Sequence, residues 1–254
     1  PWGPQCPSGG RAGIDMPATS APSRFVQWLR PWVFPLLILG SLEWWARTVG
    51  QGSDALAPPS MAALSLLQAL GRGELIGATA FTLGSAALGL LLGALLGVAL
   101  GTLLGLSARA ASMGFLTIEV LRPIPSVALV PLAMLVFGFG LRMEVSVVAF
   151  ATFWPILILT QAAARQVEPR LLEVARALQL DPLDRFRKIV FPAMVPRLFV
   201  ALRLGVAIAL VVAVTVEIAA NPHGMGYALI VAQQSLDPAL MLAWLFWIGV
   251  VGFA

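Results

Sequence analysis

The charged residues of this 254-residue chain are concentrated in one segment, which runs from Arg165 to Arg197. It holds seven of the sixteen Lys and Arg residues and four of the twelve acidic residues, although only 11% of the chain is charged. The sequence contains neither a histidine pair nor a glycine loop followed by Lys-Ser or Lys-Thr, so the types and spacing of its residues do not predict metal catalysis or nucleotide binding. The segment instead predicts a surface that contacts water or a soluble partner.

Two short helices joined by a turn are predicted within this segment. Apolar residues recur there at steps of three and four, which is typical of an amphipathic helix that begins near Pro169; they are Leu171, Leu172, Ala175 and Leu178. A second helix is expected to follow, with Asp181 as its N-cap and Pro182 in its first position. Pro192 is expected to end it.

The spacing resembles the EAA loop of ABC importer permeases, in which E-A-A is followed after three residues by G, and after nine more by I-x-L-P. The matching positions are Glu173, Val174, Ala175, Gln179, Ile189, Phe191 and Pro192. Every spacing is kept, whereas Val174, Gln179 and Phe191 depart from the family's residues. LRPIPSVALVPLAMLVFGFG (121–140) and GMGYALIVAQQSLD (224–237) are also similar to the sulfonate, taurine and nitrate branch. The resemblance extends from about residue 56 to the end.

The resemblance implies an all-α fold, namely a six-span type I permease subunit. Residues 164–196, called the coupling loop below, would dock in a groove of a cytoplasmic ABC ATPase. The residues implied in ATPase contact or loop shape are Glu173, Ala175, Arg176, Gln179, Asp184 and Arg185. A homodimer is implied, with an outer solute-binding protein over residues 71–77, 141–145 and 221–237. No cofactor or metal is expected in this chain, since the partner subunit would bind ATP.

Gln179 occupies the position where the family pattern has glycine. A glycine there would end the first helix in the left-handed conformation, which costs a residue with a side chain about 1–2 kcal/mol. Either the turn differs in this chain or the rest of the loop absorbs this cost.

The composition predicts an integral membrane protein, because 59% of the residues are hydrophobic. The net charge of +4 does not indicate nucleic-acid binding, since the basic residues lie on loops beside apolar spans. A single Cys and a single His leave no basis for a disulfide or a metal cluster.

The predicted organisation is a disordered segment (1–27), a first transmembrane helix (28–50), an outer connection with a short helix (51–78) and a permease core (79–254). The further spans are expected at 79–106, 127–141, 145–163, 195–219 and 238–254. The last span is barely long enough to cross a bilayer and no basic anchor follows it, so a C-terminal tail beyond Ala254 is expected.

The span at 79–106 carries small residues at every fourth position. They are Gly89, Gly93, Gly97, Gly101 and Gly105. Such a stripe lets another helix approach closely, which is a common way for helices to associate in lipid.

A few polar residues at the span ends have two interpretations. Glu43, Arg203 and Glu217 are interpreted as rim residues that reach water, against a proton-relay role for Glu43. His223 is interpreted as an ordinary loop residue, against a pH sensor. Pro123, Pro125 and Pro131 indicate either a kinked third span or a segment that lines the transport path.

The positive-inside rule places the N-terminus and the coupling loop on the cytoplasmic side, and the resemblance implies that the membrane is a bacterial plasma membrane. Thirteen of the sixteen basic residues then lie inside, and only Arg47, Arg72 and Arg142 lie outside. The competing hypotheses are a secondary transporter or channel, which should show paired intramembrane charges or an inverted repeat, an intramembrane enzyme, and an anchoring subunit whose basic loop binds acidic lipid.

Overall fold

The computed structural model describes residues 24–48 and 57–253, in which all regular structure is helical. The first half of the described chain contains α1 (Arg24–Thr48), α2 (Pro59–Gly71), α3 (Glu74–Leu106), α4 (Ala108–Leu121), a 3₁₀ turn (Ser126–Leu129) and α5 (Val130–Phe137). The second half contains α6 (Leu141–Arg165), α7 (Pro169–Ala177), α8 (Pro182–Arg185), a π-helical turn (Phe186–Val190), α9 (Phe191–Ala219), α10 (Met225–Gln234) and α11 (Pro238–Phe253). Residues 1–23 and 49–56 lie outside the described ranges. Most of the predicted disordered segment (1–27), the end of the first span (28–50) and the start of the outer connection (51–78) fall there.

The glycine stripe of α3 lies against α6, and these two helices form the most extensive helix pair of the fold. A Cβ atom added at Gly89 would lie 2.6 Å from Val148, and one at Gly101 would lie 2.6 Å from the carbonyl oxygen of Leu157. Gly93, Gly97 and Gly105 face the same helix equally closely. All five glycines therefore permit a backbone approach that a side chain would prevent.

α9 packs on the other side of this pair and completes the central bundle. Met143, Val147 and Val148 of α6 are fully or almost fully buried, and they join Ala213 and Val216 of α9 in one core cluster. A second cluster joins α2, α10 and α11 to the start of α3 and to α9 around Leu75, Met225 and Trp244. Outside these clusters most leucines of α3 are exposed, which suits contact with lipid; they include Leu91, Leu92, Leu95 and Leu96.

Three helices of the described chain are long and apolar enough to cross a membrane: α3, α6 and the continuous helix Pro182–Ala219. α11 is apolar but has only 16 residues, and α1 is not among the three. The count of six spans is therefore not confirmed by length and composition.

The expected third span at 127–141 was wrong as a single helix. The chain there forms the 3₁₀ turn and the eight-residue α5, and the pair α4 and Ser126–Phe137 is bent by 81°. Pro123, Pro125 and Pro131 lack backbone donors, and Gly138 has a φ of 72°, which together disfavour one continuous helix through the segment. The pair is a broken span or a re-entrant loop.

The expectation that Pro192 ends the second helix of the coupling loop was also wrong. The chain is helical from Pro182 to Ala219. A π-helical turn precedes the proline, and the N–H of Phe191 donates to the carbonyl of Phe186, five residues back. This wider turn changes the hydrogen-bond register ahead of Pro192, so the helix passes through a residue that has no N–H.

Glu43 joins α1 to the start of α2. Its carboxylate contacts Arg47 at 2.5 Å and accepts hydrogen bonds from the Ser60 hydroxyl at 2.8 Å and the Ser60 N–H at 3.0 Å. With a quarter of its side chain exposed, Glu43 fits the interpretation as a rim carboxylate.

Candidate functional site

The coupling loop begins where α6 ends and continues as α7, whose C-terminus adopts the Schellman geometry. The N–H of Leu180 donates to the carbonyl of Ala175 at 3.1 Å, and that of Leu178 donates to the carbonyl of Val174 at 3.0 Å. Gln179 has a φ of 51°, so the turn does use the left-handed conformation in which the family pattern has glycine. The loop therefore carries the backbone strain of a left-handed Gln179.

Replacing Gln179 with glycine should stabilise this turn by about 0.5–1 kcal/mol, because glycine adopts a positive φ without the strain of a side chain. The Gln179 side chain is exposed, so little packing is lost. We expect slower hydrogen exchange at the amides of Leu178 and Leu180. The matched control is Ala177→Gly in the last turn of α7, which should accelerate exchange at the same amides.

α8 is initiated by the predicted cap. The Asp181 carboxylate accepts a hydrogen bond from the Asp184 N–H at 3.0 Å, and Pro182 occupies the first turn. The Asp184 carboxylate in turn pairs with Lys188 at 2.7 Å, one helical turn on. These local bonds fix the direction in which α8 leaves the turn.

The structure brings the predicted site residues together on this helix-turn-helix, but in different environments. Glu173 and Gln179 are exposed, Asp184 and Arg185 are half-buried, and Ala175 is only 1% exposed. The side chain of Arg176 lies outside the described part of the structure. Ala175 is thus the buried contact of α7, and the other described site residues are partly or fully accessible to a partner.

Much of the apolar side of α7 is exposed instead of packing on the helix bundle. Leu178 is 64% exposed, and Leu171 and Val174 are also exposed. α7 is short and touches the π-helical turn through a narrow contact, so most of its apolar residues remain open. An exposed surface that mixes apolar and charged residues is typical of a docking site for another protein.

The base of the coupling loop is anchored in a third core cluster. It joins the end of α6, the π-helical turn and the start of α9; its residues are Ala163, Ala164, Val167, Val190, Met194 and Leu198. Arg197 also donates to the carbonyl of Gln166 at 3.5 Å. Displacement of the loop would therefore be transmitted to both α6 and α9.

The opposite ends of α6 and α9 carry a polar cluster that the sequence did not reveal. Glu217, expected to reach water at the rim, is 1% exposed, and Glu144, expected in an outer loop, is 0% exposed. Both expectations were wrong because α6 begins at Leu141 and packs its first turn against α3 and α9. Asn221, expected in the outer loop, is also buried. Among the described residues no group of three metal-ligating side chains is present.

His223 lies beside this cluster and is exposed. Its ring stacks on that of Phe81 with 5.2 Å between the ring centroids. This contact with an aromatic ring fits the interpretation of His223 as an ordinary loop residue.

A cavity of about 430 Å³ lies between the broken span, α6 and α9. Its walls are mostly apolar and include Phe150, Trp154 and Leu204, whereas Arg122 and Ser126 are polar. No acidic residue lines it. The cavity thus presents one cationic side chain to its contents.

A bundle of apolar helices that carries a charged helix-turn-helix at one end suits a membrane transport protein. The family model of the binding-protein-dependent transport system inner membrane component matches residues 89–254, and the chain belongs to this family. It is a multi-pass membrane protein and a permease component of an ABC transporter.

Individual relatives point the same way. The chain is 31% identical over 228 residues to the "Putative aliphatic sulfonates transport permease protein SsuC" of Bacillus subtilis (strain 168), covering 89% of this chain and 82% of that protein. It is 31% identical over 134 residues to the nitrate import permease protein NrtB of Synechocystis sp. (strain ATCC 27184 / PCC 6803 / Kazusa), covering 53% of this chain and 49% of that protein. The crystal structure of an amino acid ABC transporter with histidines superposes with a TM-score of 0.58 at 19% identity, over 74% of this chain and 90% of that one. This last likeness concerns the fold.

Proposed function

We propose that the chain is the membrane-spanning subunit of an ATP-driven importer of small anionic solutes, of the sulfonate, taurine or nitrate type. The observation that carries the proposal is the coupling loop, whose exposed α7 surface is anchored through one core cluster to both α6 and α9. ATP is bound and hydrolysed by a separate cytoplasmic subunit that docks on residues 173–187. Its movement is passed to the helices that surround the cavity.

The remaining partners follow from this arrangement. The coupling loop lies in the cytoplasm with the N-terminus, in a bacterial plasma membrane, because this side holds thirteen of the sixteen basic residues. A solute-binding protein docks at the other end. Each chain has one coupling loop, so a homodimer with a two-fold axis would serve two ATPase subunits and enclose a central path. Residues 79–254 form the transport core.

Two observations support an anionic solute. Arg122 lines the cavity without an acidic neighbour on its walls, and its exposed guanidinium can bind an anion that enters there. The relatives named for sulfonates and for nitrate carry names of anionic solutes.

The test is uptake by vesicles that contain the chain, its ATPase and its solute-binding protein. Uptake of an aliphatic sulfonate or nitrate should require all three proteins and ATP. Arg185→Glu should uncouple hydrolysis from uptake, lowering solute transported per ATP about tenfold or more, because a reversed charge in a half-buried docking contact costs several kcal/mol. Arg109→Glu, on an exposed residue outside both residues 173–187 and the outer docking segments, is the charge-matched control for uncoupling.

A secondary transporter was expected to show paired intramembrane charges or an inverted repeat. Glu144 and Glu217 have the same sign and lie at helix ends, so they are not a charge pair of that kind. ATP dependence is the proposal because the match to the family covers the coupling loop. Uptake driven by an ion gradient in vesicles without the ATPase would overturn it.

A further inference from the structure

Glu144 and Glu217 face each other at the end of the bundle remote from the coupling loop. Glu144 lies in the first turn of α6 and Glu217 near the end of α9. The hydroxyls of Thr82 and Ser85, one turn apart on α3, each donate to one of the two carboxyl groups, which places these groups side by side. α6 has 25 residues and is therefore about 35–40 Å long, which separates the pair from the coupling loop.

Each of the four carboxyl oxygens also accepts a hydrogen bond from another segment. Glu217 receives the Thr82 hydroxyl at 2.6 Å and the Gly226 N–H at 2.8 Å. Glu144 receives the Ser85 hydroxyl and the amide group of Asn221. Thr82 itself accepts the N–H of Met225 at 3.0 Å. The pair thus connects α3, α6, α9 and the start of α10.

No cation balances the two carboxyl groups among the described residues. The three ion pairs found there are Arg47–Glu43, Arg72–Glu74 and Lys188–Asp184. Two adjacent negative charges in this buried setting would repel each other and lose their hydration without compensation. A hydrogen bond between two carboxyl groups, by contrast, requires that one of them carry a proton.

The other titratable or charged groups on the surrounding elements do not provide the missing charge. Glu74 at the start of α3 pairs with Arg72, and Arg142 at the start of α6 is exposed. On the α10 side, exposed His223 stacks on Phe81, and the Asp237 carboxylate accepts from the N–H of Leu240 at 2.9 Å. Tyr227 lines a cavity of about 360 Å³ together with Glu217 and Asn221. This cavity offers water a route to the pair.

Asn221 is the amide side chain that contacts Glu144 in this cluster. Its Nδ2 donates to Glu144, whereas its Oδ1 is buried and has no hydrogen-bond partner. An amide can donate to an ionised carboxylate through nitrogen or accept from a protonated carboxyl through oxygen. The residue beside Glu144 can therefore pair with either protonation state.

We propose that Glu144 and Glu217 form a binding site for a single proton, taken from water and shared between the two carboxyl groups, which fastens the outer ends of α3, α6, α9 and α10 together. Loss of the proton leaves two adjacent carboxylates, whose repulsion loosens α6 from α9 at this end. The device is additional to the ATP-driven function proposed above.

The packing favours a proton over a metal cation as the ligand. A Cβ atom added at Gly224 would overlap the Glu217 carboxyl group, so that group is tightly enclosed. The carboxyl oxygens already accept hydrogen bonds from Thr82, Ser85, Asn221 and Gly226. A cation would have to displace several of these donors.

The decisive measurement is infrared spectroscopy of the purified full-length chain in lipid nanodiscs at neutral pH. We expect the C=O band of one protonated carboxyl group per chain, which shifts in D₂O and disappears at alkaline pH. Glu144→Gln and Glu217→Gln should each abolish this band, since the remaining carboxylate then accepts from a neutral amide. Glu74→Gln, which removes an exposed carboxylate, should leave the band unchanged.

Thermal unfolding gives a second readout. The melting temperature of the wild-type chain should fall as the pH is raised and the proton is lost, and this dependence should be absent in Glu217→Gln. A wild-type spectrum without the band at neutral pH would overturn the proposal even if the variants do not fold. So would a rise in melting temperature with Na⁺ or Ca²⁺ that Glu217→Gln abolishes, since this would indicate a cation site. Neither readout depends on transport.

Discussion

Replacing Ala175 with tryptophan is expected to abolish solute uptake while the partner ATPase continues to hydrolyse ATP. Ala175 is 1% exposed where α7 is held, and its carbonyl accepts the hydrogen bond that closes the turn at Leu180. An indole cannot fit there without displacing α7, and overpacking of this kind costs about 1–3 kcal/mol. When α7 is displaced, its exposed residues are no longer positioned to contact the ATPase. The measurement is uptake per ATP hydrolysed in reconstituted vesicles.

Ala177→Trp is the matched control, since Ala177 lies two residues further along the same helix and is exposed. It adds the same side chain without forcing α7 away from the π-helical turn. Normal membrane insertion of both variants, tested by protease protection, separates uncoupling from misfolding. Equal coupling ratios in the two variants would refute the role given to the buried face of α7.

The helix-turn-helix of the coupling loop was predictable because its determinants are local. The Asp181 cap acts on an amide three residues away, and Gln179 stands two residues beyond the end of α7, where the turn must reverse. Such signals lie within one or two helical turns of sequence, so their spacing alone specifies the geometry. The exposure of Leu171 and Leu178 was not predictable, since the apolar spacing of α7 does not reveal whether the bundle or another protein covers these residues.

The buried acid pair was not predictable for the opposite reason. Glu144 and Glu217 belong to different helices and approach each other only when α3, α6 and α9 pack together. Each by itself looks like a carboxylate at the rim of a span. The signal that was present is their position at the ends of two apolar helices remote from the coupling loop, together with Asn221 in a connection without Lys or Arg. The prolines of the third span predicted an interruption of that helix. They could not distinguish a moderate kink from the 81° bend that the structure shows.

The glycine stripe, in contrast, predicted a close helix contact without naming the partner. α3 also carries Gly84, which does not fall on the four-residue step of the stripe. The spacing thus distinguishes glycines that are expected at the helix contact from those that are not. The structure adds the atoms that each would meet: nothing lies within 4 Å of a Cβ added at Gly84, whereas one at Gly93 would overlap the Thr152 hydroxyl and lie 2.7 Å from the Ala149 carbonyl oxygen. This difference makes the two positions a matched pair for experiment.

Gly93→Leu is therefore expected to prevent the folded bundle from forming, and Gly84→Leu to be tolerated. The leucine at position 93 would have to separate α3 from α6 along the most extensive helix contact of the fold, and small residues at such contacts are what drive helix association in lipid. Thr152→Ala should not rescue Gly93→Leu, because the backbone carbonyl of Ala149 still occupies the space. The measurement is the yield of monodisperse protein and its melting temperature in detergent. Equal yields and melting temperatures for the two leucine variants would show that α3 and α6 do not need this close approach, and the placement of the stripe against α6 would then be wrong.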